Sequence, residues 1–183
     1  VVFSKVPAVI YNSQPEDPMP ALEAGVHAPD INLSFADGSK FSLREALKKG
    51  PVVAAFFKVS CPVCQFAFPY LDRIYRAYGK SGKFTFVGVS QDNAADTEAF
   101  IRRFGVTFPV LLEEKGYAVS NAYKLTNVPT VFMITPDGEI DFSSVSWSKS
   151  EMQELGRKLA KVNDTAPSTI FPAGESVAEF KPG

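Results

Sequence analysis

Apolar positions along this chain fall into alternating runs, continuous runs and helical stripes. Ile31, Leu33 and Phe35 alternate with polar residues, Asp37-Gly38 offers a turn, and Phe41 resumes the alternation, which predicts a β-hairpin. Ser42 with Glu45 three residues on is a capping box, so a short helix follows and stops at Gly50. Val52 to Phe57 is unbroken apolar sequence, the mark of a strand buried on both faces. A longer helix opens at Cys61, with Phe66, Tyr70, Leu71, Ile74 and Tyr78 predicted on one side, Pro69 inside it and Gly79 at its end. Phe84 to Val89 reads as a second buried strand. Ala94 to Phe104 reads as a helix closed by Gly105, with Phe100, Ile101 and Phe104 inward. Phe108 to Leu112 is a strand and Tyr117 to Tyr123 a helix. Thr130 to Ile134 is a strand that turns at Pro136-Asp137-Gly138 into a partner, Glu139 to Phe142. Ser148 and Glu151 cap a final helix bearing Met152, Leu155, Leu159 and Val162.

Strands alternate with helices and one hairpin closes the series. The fold class is therefore α/β, a mixed sheet with helices on both faces. Pro7, Pro15, Pro18 and Pro20 crowd the start, and Pro167, Pro172 and Pro182 the end, which argues against regular structure there. The expected organisation is an N-terminal extension over 1–24, one domain over 25–162 and a C-terminal tail over 163–183 that wraps the domain or wanders. Residues 1–24 lack a charged segment followed by a long apolar one. The compartment stays open between cytoplasm and a bacterial periplasm or envelope.

Composition changes this picture little. Of 183 residues, 45% are hydrophobic and 16 are Phe, enough for a core. Net charge is -1, which points away from nucleic acid and from a membrane surface. The longest apolar run, Pro51 to Phe57, is far too short to span a bilayer. A monomer is expected.

The two cysteines change it a great deal. Cys61 and Cys64 are too few for a disulfide scaffold, and both stand in Cys-Pro-Val-Cys at a predicted helix start. Pro62 suits the first helical turn, where a missing N–H costs nothing. Cys61 then faces unpaired N–H groups and the positive end of the helix dipole, where a thiolate is stabilised. Cys64, one turn later, points the same way and can close a disulfide with it. Cys61 is the candidate attacking sulfur and Cys64 the resolving one. Lys58 is close enough in sequence to add positive charge, and reads equally as a solvated residue at the strand end. Ser60, Pro62 and Val63 surround the sulfur, and Phe57, Phe66 and Phe68 add apolar surface, much of it core. Zinc wants four ligands, and one such pair with a single His, His27, falls short. His27 reads as a surface residue. A redox-inert binding module, or a copper chaperone using two soft thiolates, is a non-enzyme alternative. No Gly-rich phosphate loop occurs, so no cofactor and no metal is expected.

These residues resemble the thioredoxin fold in its redoxin branch, which holds thiol–disulfide oxidoreductases of the TlpA/ResA kind and the AhpC/TSA peroxiredoxins. The similar segments cover nearly the whole domain. They are Ala28-Pro29-Asp30 with Leu33, Asp37-Gly38 and Ser42-Leu43; Val52 to Phe57; Cys61-Pro62-Val63-Cys64 with Phe68-Pro69; Val128-Pro129-Thr130; and Pro136-Asp137-Gly138-Glu139-Ile140. Residues 91–113 resemble the helix and strand that this branch inserts. The resemblance implies a cis bond at Val128-Pro129 facing the cysteines, with the Val128 backbone as a pairing edge for an extended partner segment. Ser60, Pro62, Val63, Val128 and Pro129 are then the substrate-contacting residues, and disulfide-containing or dithiol proteins the partners. The chain also departs from the pattern. Ser60 replaces a Trp before the first Cys. Ala55 stands where thioredoxins carry a buried Asp, and Ala67 where ResA-like proteins carry a Glu, so the carboxylate that takes the resolving thiol's proton has no counterpart in those places. A peroxiredoxin-like peroxidase is the alternative within the resemblance. Its Pro-x-x-x-Thr/Ser-x-x-Cys frame meets Ala54 and Lys58 in one register, and Phe57 and Cys61 in the other.

Overall fold

A computed structural model of the chain describes residues 21–183 apart from Lys115. The proline-rich reading of residues 1–20 lies outside the described residues. A seven-stranded sheet runs through the body in the order β2-β1-β5-β4-β3-β6-β7. Its strands are β1 (Asn32–Phe35), β2 (Lys40–Ser42), β3 (Val52–Phe57), β4 (Thr85–Ser90), β5 (Val110–Leu112), β6 (Thr130–Ile134) and β7 (Ile140–Val145). β3, β4 and β5 are parallel; β6 runs antiparallel to β3, and β7 to β6. The β1/β2 hairpin joins through β5, so the inserted segment ties the hairpin to the sheet.

β3 sits near the centre and all six of its residues are buried. Alternation divides them between two cores. Val53, Ala55 and Phe57 pack with α2 (Pro62–Tyr78), α3 (Ala94–Phe104) and α5 (Lys149–Asn163). Val52, Ala54 and Phe56 pack on the other face with Leu43 of α1 (Leu43–Leu47) and with Tyr123, just after α4 (Ala118–Ala122). This is the mixed sheet with helices on both faces. Ser42, Asn93 and Ser148 cap α1, α3 and α5 through their side chains.

Several expectations change in detail. The helix predicted over 117–123 is Ala118–Ala122, bounded by left-handed backbone at Tyr117 (φ 49) before it and at Lys124 (φ 53) beyond its C-cap. The strand expected from Phe108 begins at Val110, although Phe108 is buried. The last hairpin strand extends to Val145. On α2 the buried side is Cys64, Ala67, Phe68, Leu71, Ile74 and Tyr78, whereas Phe66 and Tyr70 are half-buried on a different side. They pack against Trp147 and Phe171, with ring centroids 5.1–5.5 Å apart.

Phe171 belongs to the C-terminal segment, which lies on the body and contains regular structure despite its prolines. β8 (Trp147–Ser148) pairs antiparallel with β9 (Phe180–Lys181). Ile170 and Val177 are buried in the α2-side core. Arg73 of α2 donates to the Ile170 carbonyl and to both carboxylate oxygens of Glu175, and the Trp147 indole donates to the Ala178 carbonyl at 2.7 Å.

Candidate active site

The β3 strand ends at Phe57, and a short loop carries the chain to α2. Cys61 N donates to the Lys58 carbonyl and closes that turn. Val59 is held from both sides: its N–H donates to Asp92 Oδ2 at 2.7 Å, and its carbonyl accepts from Gln65 Nε2 at 2.9 Å. Cys61 is thereby fixed as the N-cap of α2, with Pro62 as its first residue. Its backbone is extended, and its sulfur accepts from the Cys64 N–H at 3.4 Å. Negative charge developing on Cys61 therefore meets helix N–H groups.

The two sulfurs differ in their surroundings. Both cysteines are free thiols; Cys61 is partly exposed, and Cys64 is fully buried. Burial pushes the Cys64 thiol well above its ordinary value. The Lys58 backbone N–H works against that, while charge on Cys61 and on Asp92 adds to it. Ala55 and Ala67, at the two positions where the resemblance implies a carboxylate, lie in the same apolar cluster as Cys64, together with Phe57 and Phe68. Those two rings are 4.3 Å apart and fully buried, so they are core and contribute nothing to the rim.

The Val128–Pro129 peptide is cis. The Cys61 thiol donates to the Val128 carbonyl at 3.3 Å, across 67 residues of sequence. Pro129 is buried beneath, and its carbonyl accepts from Ser146 N. Around the sulfur Ser60 and Pro62 are exposed, and Val63, Phe66 and Val128 half-buried. The structure thus brings Cys61, Cys64 and the Val128-Pro129 loop together, with Ser60, Pro62 and Val63 adjoining in the chain. The Lys58 ammonium lies over the Tyr117 ring at 5.9 Å. His27 is exposed, pairs with Glu139 in an isolated bridge and packs its ring on Gly138. A Cβ at Gly138 would come within 2.4 Å of that ring. Among the described residues, no group of three or more His, Cys, Asp or Glu could hold a metal ion. A groove of about 600 Å³ lined by His27, Pro29, Arg44 and Lys48 includes none of the dithiol residues.

Asp92 joins the site although nothing in the sequence singles it out. It follows β4, and β4 pairs in parallel with β3 in the register Phe57 to Ser90, so the loops after both strands open on one edge of the sheet. An acidic residue two positions past a strand end is too common to stand out without knowledge of that pairing.

A sequence model described as the AhpC/TSA family matches residues 24–143. The chain is 33% identical over 121 residues to a thiol-disulfide oxidoreductase ResA of Geobacillus thermodenitrificans, covering 66% of this chain and 68% of that protein. It is 28% identical over 138 residues to the thioredoxin-like protein YneN of Bacillus subtilis, covering 73% and 78%. Among solved structures, the thioredoxin domain of a thiol-disulfide oxidoreductase from Bacteroides vulgatus matches with a TM-score of 0.66 and 26% identity, over 75% of this chain and 98% of that one.

Proposed function

The chain belongs to the AhpC/TSA family and is a thiol–disulfide oxidoreductase of the thioredoxin type; from that premise we propose that Cys61 attacks the disulfides of protein partners and Cys64 resolves the adduct. The observation that carries this reading is the partly exposed Cys61 sulfur at the start of α2, 3.3 Å from the Val128 carbonyl, with a fully buried Cys64 behind it.

Cys61, as thiolate, forms a bond to one partner sulfur while the partner's S–S bond breaks, and the second partner sulfur leaves and takes a proton. Cys64 then gives up its proton and bonds to the Cys61 sulfur. The mixed disulfide breaks, and the partner's first sulfur leaves as a thiol. The partner gains two electrons and the Cys61–Cys64 pair loses them; the reverse sequence oxidises a dithiol partner. The backbone at Val128 offers an edge on which an extended partner segment pairs beside Cys61. Exposed Pro62 and half-buried Val63 and Phe66 supply apolar surface around it. A rim of this kind suits a flexible protein chain.

The test uses Cys64→Ser. Mixed with a disulfide-bearing protein, this variant accumulates an adduct on Cys61 that is visible by mass, and Cys61→Ser forms none. No adduct with Cys64→Ser removes the reading.

A further inference from the structure

The C-terminal segment does more than cover α2; it runs on to the loop that faces Cys61. After β9, Gly183 N donates to Ser146 Oγ at 2.9 Å, and Asn127 Nδ2 donates to the Gly183 carbonyl at 2.6 Å. Gly183 thus bridges the residue just before Val128 and the residue whose N–H bonds the Pro129 carbonyl. It lies so close that a Cβ there would come within 2.4 Å of the Val128 carbonyl oxygen, the same oxygen that accepts from Cys61. Lys181 places its ammonium 4.9 Å from the Phe66 ring centroid, over the apolar rim.

The two ends of this segment are held differently. Upstream, Ile170 and Val177 are buried, and Arg73 grips both Ile170 and Glu175. Downstream, Phe180 is 61% exposed, β9 is two residues long, and Gly183 is held by two side-chain hydrogen bonds. A segment anchored at one end and lightly held at the other can open locally while the body stays folded.

We infer that residues 180–183 are a resident occupant of the partner-binding edge at Val128, and that a protein partner displaces them when it docks. The inference rests on the reading of Val128 as the partner's pairing edge. Small disulfides, which need only the Cys61 sulfur, react without displacing the segment. Extended protein segments compete with it, so the segment sets a threshold that separates the two substrate classes.

The test loosens the downstream end with Asn127→Ala combined with Ser146→Ala and measures reaction of the dithiol protein with insulin and with glutathione disulfide. Loss of two hydrogen bonds raises the insulin rate about tenfold. The glutathione disulfide rate stays within about twofold. An insulin rate that is unchanged or lower, with the parent protein active, overturns the inference and leaves the exchange chemistry standing. Absence of insulin exchange in both proteins strikes at the proposed function itself. A second readout keeps the parent residues at 127 and 146. In Cys64→Ser protein trapped on a disulfide-bearing peptide, the Lys181 and Gly183 amides exchange hydrogen faster than in the unmodified variant. Unchanged protection in the adduct overturns the inference.

Discussion

The side of α2 that carries Cys64 and the side that carries Phe66, Tyr70 and Arg73 are held by different means. Toward the sheet, Cys64, Ala67, Phe68, Leu71 and Ile74 are at most 2% exposed and share one apolar cluster with Val53, Ala55 and Phe57. Toward the C-terminal segment, Phe66 and Tyr70 are half-buried and Arg73 reaches out to a carboxylate. Close packing makes the first contact stiff and costly to disturb. The second mixes ring edges with a partly exposed ion pair, a weaker kind of contact. The contrast matters for the chemistry. Cys64, the proposed resolving sulfur, stands on the stiff side, where burial favours its neutral thiol. The half-buried rim beside Cys61, the proposed attacking sulfur, stands on the more weakly held side.

The largest test of this contrast is Phe68→Ala. The ring is fully buried and packs on Phe57, Phe100 and Phe108. Its removal costs about 3–5 kcal/mol, read as a lower denaturant midpoint for the whole molecule. A loss under about 1 kcal/mol would mean the sheet side of α2 is not a close-packed core.

The next test titrates Cys64. Its folded-state value is raised by burial above the ordinary 9.0, so the folded dithiol keeps its proton where the unfolded chain loses it. The resulting stability is fully present below pH 9 and is lost as pH rises from there toward the folded value. The decline reaches at most about 1.4 kcal/mol per pH unit. Burial raises Tyr123 as well, from an ordinary 10.0. The Cys64 contribution is therefore the difference between the reduced parent and Cys64→Ala, measured by urea unfolding from pH 8 to 10.5. Parallel pH profiles for the two proteins would place Cys64 in a wetter site than its burial implies.

Arg73→Ala probes the other side. The ion pair with Glu175 is partly exposed, with side chains 40% and 29% accessible, so solvent screens it and its loss costs far less than removal of the Phe68 ring. The expected signature is local: faster amide exchange over residues 168–175, which Arg73 holds, with little change in the seven-stranded sheet. A global drop equal to that of Phe68→Ala would erase the difference between the two sides.

Reading the sequence went furthest where one signal was enough. The unbroken run over β3, the Ser42 and Ser148 caps and the helix-start Cys-Pro-Val-Cys each report their element directly, because periodicity, capping and dipole chemistry are local. The same local reasoning misassigned Phe66 and Tyr70 to the buried side with Leu71 and Ile74. An aromatic residue under a distant segment has the same hydropathy as one under the sheet. The β8/β9 pair was invisible for a related reason. Each strand is two residues long, and Trp147 meets Lys181 only through the fold. Asp92 needed the β3–β4 register before its place beside the site had meaning.

Asp92 also supplies the smallest and most specific test. It accepts from the Val59 N–H and so helps fix the loop that presents Cys61. Its negative charge opposes ionisation of Cys64, on top of the larger effect of burial. Asp92→Asn keeps an acceptor for Val59 and removes the charge, which separates the two roles. The groups acting on the Cys64 thiol are then the Lys58 N–H and Cys61. Cys64 ionises more readily, and the resolving step quickens by about twofold to fivefold near neutral pH, as expected for one partly screened charge. Attack by Cys61 on the partner, followed as adduct formation in a Cys64→Ser background, changes less than release of the partner does. Slowing of both steps together would mean that the loop has moved and that Asp92 acts through Val59. Faster release alone would show that Cys64 responds to the field of a carboxylate on the neighbouring strand's loop, with alanines at the two places, 55 and 67, where the resemblance implies one.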